Sequence, residues 1–78
     1  MFKLHIIDLN QAAVVFAGTA KCVCLPSQEG ELSILEDHQP LAACLKEGIL
    51  VVDEDHSICV QKGIARMDGE ELTILIER

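Results

Sequence analysis

Apolar and polar residues alternate with a period of two along most of this chain. The alternation is clearest in residues 2–6, 57–61 and 71–77. A period of two places successive side chains on opposite faces of a β-strand, whereas an amphipathic helix repeats every 3.6 residues. The pattern therefore favours strands that bury one face, and it argues against a helical fold.

Turn-forming residues divide the chain at short intervals. They lie at residues 8–11, 18, 26–30, 37–40, 48, 53–56, 63 and 68–69. The segments between them predict nine strands, near residues 2–8, 13–16, 20–25, 31–35, 41–46, 49–52, 57–62, 64–68 and 71–77. Many short strands separated by turns are typical of an all-β sandwich or barrel. We predict an all-β fold, a small and mostly antiparallel β-sandwich that forms a single domain over residues 1–78.

The alternation also predicts which side chains face the core. The inward-facing set is Leu4, Ile6, Val23, Leu25, Ile34, Ile58, Val60, Leu72 and Ile74. Three apolar residues, Ile7, Ile64 and Leu75, fall out of phase with their neighbours. They indicate either a surface for a docked partner or a core packed on both sides of the strand.

Composition excludes several classes of protein. The net charge is −7, and the six Lys and Arg residues are scattered, so we expect no nucleic-acid binding, which needs clustered cations. No apolar run approaches the roughly 18 residues of a membrane span, and the N-terminal residues lack the apolar core of a signal peptide. We expect a cytoplasmic chain that meets a membrane only through a partner, without direct membrane insertion.

The four cysteines are the main candidates for hidden chemistry. A zinc or redox site could use Cys22, Cys24, Cys44 and Cys59, but their spacing does not match a zinc knuckle. Because Cys22 and Cys24 are two residues apart on one predicted strand, their side chains share a face. Free cysteine commonly behaves as a small buried hydrophobe, so we interpret the four as structural thiols and expect no metal.

No catalytic constellation stands out. The three histidines, His5, His38 and His56, are dispersed, and no serine or cysteine has a base at a recognisable spacing. Glu29 and Glu31 flank Gly30 as a pair of carboxylates, which we interpret as solvated rather than as an acid–base pair. We expect neither catalytic nor cofactor-binding residues, and no cofactor.

Residues 25–48, LPSQEGELSILEDHQPLAACLKEG, carry the most specific pattern in the chain. Gly30 marks a tight turn, a short apolar run follows, and Pro40 precedes a second run that Gly48 closes. The order resembles the signature of the epsilon subunit of F-type ATP synthases, in its N-terminal β-sandwich. The positions that match in order, without a gap, are Leu25, Pro26, Gly30, Glu31, Ile34, Leu35, His38, Pro40, Leu41, Leu45 and Gly48.

The resemblance implies a non-catalytic rotor subunit of the central stalk in the proton-translocating synthase. Its implied partners are the gamma subunit and the polar loops of the c-ring, and its implied place is peripheral, on the cytoplasmic side of the energy-transducing membrane. By resemblance, the turn at Glu29, Gly30 and Glu31, with His38, faces the ring. The region from Pro40 through Leu41 and Ala42 to Ala43 lies close to gamma.

In the family a helical hairpin follows the sandwich, whereas this sequence stops at Arg78, directly after the last predicted strand. We therefore expect the sandwich without that hairpin, whether as a naturally short subunit or as one domain. Two alternatives stay open from the residues alone. One is a cysteine-based metal-binding or redox module, and the other is a β-sandwich adaptor unrelated to the synthase.

Overall fold

The computed structural model describes residues 1–36 and 40–78. They form nine strands: β1 (Phe2–Asp8), β2 (Ala13–Ala20), β3 (Cys22–Ser27), β4 (Gly30–Leu35), β5 (Leu41–Leu45), β6 (Gly48–Val52), β7 (His56–Val60), β8 (Lys62–Asp68) and β9 (Glu71–Glu77). The all-β prediction is confirmed, and each predicted strand overlaps an observed one. The strand predicted near residues 41–46 is β5. Among the described residues, no helix is long and apolar enough to cross a bilayer.

The strands form one continuous sheet that curls into two halves. The first half has the order β2-β1-β9-β8-β5, and the second has the order β4-β3-β6-β7. The halves join where Ser27 of β3 pairs with Leu45 of β5. All pairings are antiparallel except that between β1 and β9, which is parallel. The mostly antiparallel β-sandwich is therefore confirmed.

The core lies between the two halves. All nine side chains predicted to face inward are buried, because each belongs to the alternating face that its strand turns towards the other half. Phe2, Leu50, Met67 and Ile76 complete much of the remaining core volume. At about 25 cal/mol per Å² of apolar surface removed from water, this burial is the main stabilising contribution.

Several residues interpreted as turn formers lie inside strands instead. Gly18, Gly48 and Gly63 belong to β2, β6 and β8, and Pro26 belongs to β3. Gly63 is required by close packing, since a Cβ there would lie 2.4 Å from the Leu75 carbonyl oxygen. Because Gly18 continues β2 and does not end it, this strand extends to Ala20, past the predicted end at residue 16. A glycine can thus mark a close backbone approach as well as a turn.

Two aspartate carboxylates hold the ends of strands in place through hydrogen bonds. Asp53 has φ of 50° in the β6–β7 turn, and its Oδ1 accepts hydrogen bonds from the backbone N–H of Lys21 (2.8 Å) and of Cys22 (3.0 Å). These two bonds lower the pKa of Asp53 below its ordinary value. The side chain therefore anchors the start of β3 against the turn.

Asp8, at the end of β1, is buried. Its carboxylate accepts hydrogen bonds from Arg78 Nε at 3.1 Å and from the Asn10 backbone N–H at 2.9 Å. Burial raises the pKa of Asp8, but these hydrogen bonds and the charge of Arg78 lower it further than burial raises it. The carboxylate thus stays ionised and ties the end of β1 to the residue that follows β9.

Candidate functional site

The β3–β4 turn is held by its own hydrogen bonds. Ser27 is 7% exposed, and its hydroxyl donates to the Gly30 carbonyl while accepting from the Glu29 N–H at 3.3 Å. Gly30 has φ of 121°, a conformation that a residue with a Cβ rarely adopts. The tight turn predicted at Gly30 is confirmed, and it presents Glu29 and Glu31 from a constrained backbone.

Strand β5 is bonded to the same turn. The Gln28 N–H donates to the Cys44 carbonyl at 3.0 Å, and the Lys46 N–H donates to the Pro26 carbonyl at 2.8 Å. These bonds cross the junction between the two halves of the sheet. As a result, the β3–β4 turn and β5 form one connected unit.

An open cleft of about 560 Å³ lies between the turn and β5; we call it the carboxylate cleft. Its lining consists of Ser27, Gln28, Glu29, Gly30, Glu31, Leu32, Leu41, Ala42, Ala43 and Cys44. Glu29 and Glu31 are exposed, whereas Leu32 and Leu41 are half-buried against the core. The cleft thus combines two hydrated carboxylates with an apolar floor.

Most residues that the resemblance assigns to the two partners line this cleft. Glu29, Gly30 and Glu31 come from the turn, and Leu41, Ala42 and Ala43 come from β5. Pro40 is exposed, directly before β5. His38 lies outside the described residues, so its assignment stays a prediction. Chemically, the cleft suits a polar loop that donates hydrogen bonds or brings a cation to the carboxylates.

A second feature of the surface is an apolar row on the outer face of the first half, which comprises Val14, Ile7, Leu75, Ile64 and Cys44. Strand register makes them neighbours in that order across β2, β1, β9, β8 and β5. Val14 and Ile64 are 65% and 53% exposed. The row runs across the strands, and its side chains point away from the core.

The sequence signalled three members of the apolar row, Ile7, Ile64 and Leu75, as out of phase. The alternative of a core on both sides is wrong for Ile64, which is more than half exposed. Sequence reasoning missed Val14 and Cys44, because their strands gave no clean alternation. Only the pairing of distant strands brings all five together.

The cysteines do not converge on one site. Cys22 and Cys24 share the outer face of β3, as predicted, whereas Cys44 lies in the apolar row on the other half. Cys44 and Cys59 are exposed, so the interpretation of all four as buried structural residues is wrong for these two. Burial and the neighbouring Cys24 raise the pKa of Cys22. In the part of the chain that the structure describes, no three His, Cys, Asp or Glu side chains are grouped to hold a metal ion.

The fold is that of a small β-sandwich domain, which carries two candidate binding surfaces. More particularly, the chain belongs to the family described as the beta-sandwich domain of the ATP synthase Delta/Epsilon chain, whose model matches residues 1–78. The family assignment that residues 25–48 suggested is therefore confirmed.

Curated relatives named ATP synthase epsilon chain match most of this chain. The chain is similar to that of Sulfurimonas denitrificans, with 28% identity over 99% of this chain and 62% of the relative. For Bordetella avium the identity is 35%, over 96% of this chain and 56% of the relative. For Synechococcus sp. it is 42%, over 80% of this chain and 48% of the relative. The chain thus spans less than two thirds of the length of these relatives.

Solved structures share the fold at low identity. A chain in the Euglena gracilis mitochondrial ATP synthase (OSCP/F1/c-ring in rotational state 1) superposes with a TM-score of 0.82 and 17% identity, over 96% of this chain and 49% of that chain. A chain in the Tetrahymena thermophila mitochondrial ATP synthase central stalk and c-ring gives a TM-score of 0.77 and 12% identity, over 97% of this chain and 63% of that chain. At these identities the likeness concerns the fold alone.

Proposed function

We propose that the chain is a non-catalytic rotor element of an F-type ATP synthase, which binds the gamma subunit and contacts the polar loops of the c-ring. Its support is the family membership, the names of its relatives and the central-stalk and c-ring assemblies in which its fold recurs. The observation that carries the proposal is the carboxylate cleft, because it gathers the residues that the family pattern assigns to both partners.

The ring contact is assigned to Glu29, Gly30 and Glu31, together with His38 from the family pattern. Hydrogen bonds of Ser27 fix the backbone of the turn, so the backbone has little conformational freedom to lose on binding. A polar loop that donates hydrogen bonds would be held there by several weak, hydrated contacts rather than by one buried pair. Such a contact tolerates relative movement and is sensitive to salt.

The gamma contact is assigned to Pro40, Leu41, Ala42 and Ala43, and it extends from β5 onto the apolar row. Cys44 of β5 pairs with Ile64 of β8, so the two surfaces are continuous. Burial of the apolar row would add a hydrophobic contribution to that of the cleft's apolar floor. The two contacts lie on one hydrogen-bonded unit, so force applied at the cleft would reach gamma through a stiff sheet.

In this role the chain is peripheral, on the cytoplasmic side of the energy-transducing membrane, and is held there by its partners. Affinity capture from detergent-solubilised membranes tests the assembly. The tagged chain is expected to retain both gamma and c subunits. An Ile64→Ser variant is expected to lose gamma, while an Ile49→Ser variant, similarly exposed but on the other half of the sheet, retains it. Recovery of neither subunit with the unaltered chain would contradict the proposal.

A further inference from the structure

Cys22 and Cys24 lie next to each other on the outer face of β3. Both side chains point away from the core, because Val23 between them is buried and side chains alternate along a strand. Both are half-buried, whereas Cys44 and Cys59 are exposed and belong to other strands. The two half-buried thiols therefore share one surface, and we call them the thiol pair.

The strands on either side of β3 form the walls around the thiol pair. On β4, Leu35 lies opposite Cys22 and Ser33 lies opposite Cys24. The Ser33 hydroxyl oxygen is 3.6 Å from the Cys24 sulfur. On the other side, Val51 of β6 lies opposite Cys24. Because β3 is paired along both edges, its backbone holds the two thiols at a fixed spacing.

This spacing disfavours a disulfide and suits a bridging ion. Alternate residues of a strand are about 6.6 Å apart, whereas the Cβ atoms of a disulfide are about 3.5–4.5 Å apart. An ion between two thiolates holds the sulfur atoms up to about 4.6 Å apart, at about 2.3 Å for each metal–sulfur bond. Rotation of the two cysteine side chains reaches that separation without any movement of the strand.

The surroundings keep Cys22 protonated when no ion is bound. Burial raises the pKa of Cys22, and the neighbouring Cys24 raises it further through its charge and a side-chain hydrogen bond. The carboxylates of Glu54 and Asp53 act in the same direction. Because the thiolate is the form that oxidises readily, Cys22 is expected to stay reduced and available as a ligand.

We propose that the thiol pair binds a soft monovalent metal ion, Cu(I), between two thiolates. Thiolate ligands select soft ions, and two of them satisfy Cu(I), whereas structural zinc takes four ligands. On binding, the two S–H bonds break, two copper–sulfur bonds form and two protons pass to the solvent, while copper stays in the +1 state. The ion thus replaces protons on the thiols, and no oxidant or reductant takes part in the binding step.

The proposed site is separate from the surfaces described above. It contains no residue of the carboxylate cleft, and it lies on the other half of the sheet from the apolar row. We depart here from the expectation that the cysteines hold no metal, because that expectation rested mainly on the spacing of a zinc site. Within residues 1–36 and 40–78, a zinc site is still unsupported, since no three candidate ligands are grouped.

Anaerobic titration of the full chain with Cu(I) tests the proposal. Ascorbate keeps the copper reduced, and the ion is delivered from its coloured complex with bathocuproine disulfonate, whose loss of colour measures transfer to the protein. Cys22→Ser/Cys24→Ser removes the thiol pair, and Cys44→Ser/Cys59→Ser removes the same number of thiols elsewhere. The single variants Cys22→Ser and Cys24→Ser disturb the fold less, and circular dichroism verifies that each variant is folded. X-ray absorption counts the sulfur ligands.

The unaltered chain is expected to take up one Cu(I) per chain, with two sulfur ligands. Loss of either member of the thiol pair should weaken binding by at least about a hundredfold, more than the loss of an outer-shell group costs. Cys44→Ser/Cys59→Ser should bind within about twofold of the unaltered chain. Absence of uptake, equal weakening in the two double variants, or one ion shared between two chains would overturn the proposal.

Discussion

Replacement of Leu72 tests how the sandwich supports its surfaces. Leu72 is fully buried on β9, between Leu4 of β1 and Met67 of β8. Leu72→Ala removes three carbon atoms, which costs about 2–3 kcal/mol of transfer free energy, and the cavity brings the total to about 3–4 kcal/mol. In a domain of this size each kcal/mol lowers the melting temperature by about 4–8 °C. We therefore expect the melting temperature, measured by circular dichroism, to fall by about 10–30 °C.

Leu72→Asp should be more severe, because it also places a carboxylate in a core that offers it no partner. The stability of a domain this small is of the order of 4–12 kcal/mol, so the variant should be largely unfolded and should bind no gamma. Ile64→Ala is the control, since Ile64 is 53% exposed and should change stability by no more than about 1 kcal/mol. A Leu72→Asp protein that melts within a few degrees of the unaltered chain would disprove this description of the core.

Three further results are expected. Gly63→Ala should lower the melting temperature, because the added Cβ would meet the Leu75 carbonyl oxygen at 2.4 Å. Gly69→Ala is the comparison, since its Cβ meets open space while φ is +64°, so it measures the cost of backbone strain without a clash. Replacing Cys22, Cys24, Cys44 and Cys59 with Ser should preserve assembly, at no more than about 1–2 kcal/mol for each half-buried site, and zinc retained through mild chelation would contradict this. The folded-state pKa of Asp8 is lowered, so its stabilising contribution is complete above the unfolded pKa of about 4 and is lost as the pH falls through the folded value. Asp8→Asn should therefore flatten the acid limb of stability measured by urea unfolding, and an unchanged limb would show that Asp8 does not contribute.

The strands and the core could be predicted from the sequence because both follow from local alternation. The β9 segment shows this, since Leu72 and Ile74 are buried while Thr73 and Leu75 turn outwards. Turns were less certain, because Gly63 and Gly48 are required for close contacts within the sheet rather than for chain reversal. Local sequence does not distinguish these two uses of glycine.

The surfaces could be predicted only in part. The family pattern in residues 25–48 identified most of the residues that line the carboxylate cleft. It did not predict that the β3–β4 turn and β5 line the same cleft. The apolar row depends on the parallel pairing of β1 with β9, which joins the two ends of the chain. Such pairing is set by packing over long sequence separation, and no periodicity within a strand encodes it.

Coupling in a synthase depleted of its epsilon subunit tests the rotor role most directly. The preparation is reconstituted with the unaltered chain or with a variant carrying Glu29→Lys and Glu31→Lys, and ATP hydrolysis and proton pumping are measured together. A variant with Asp55→Lys and Glu70→Lys, which changes the net charge equally away from the carboxylate cleft, is the control. We expect the unaltered chain and the control to restore pumping, and the Glu29/Glu31 variant to lose pumping more than hydrolysis. If the unaltered chain restores neither assembly nor pumping, the rotor role is wrong.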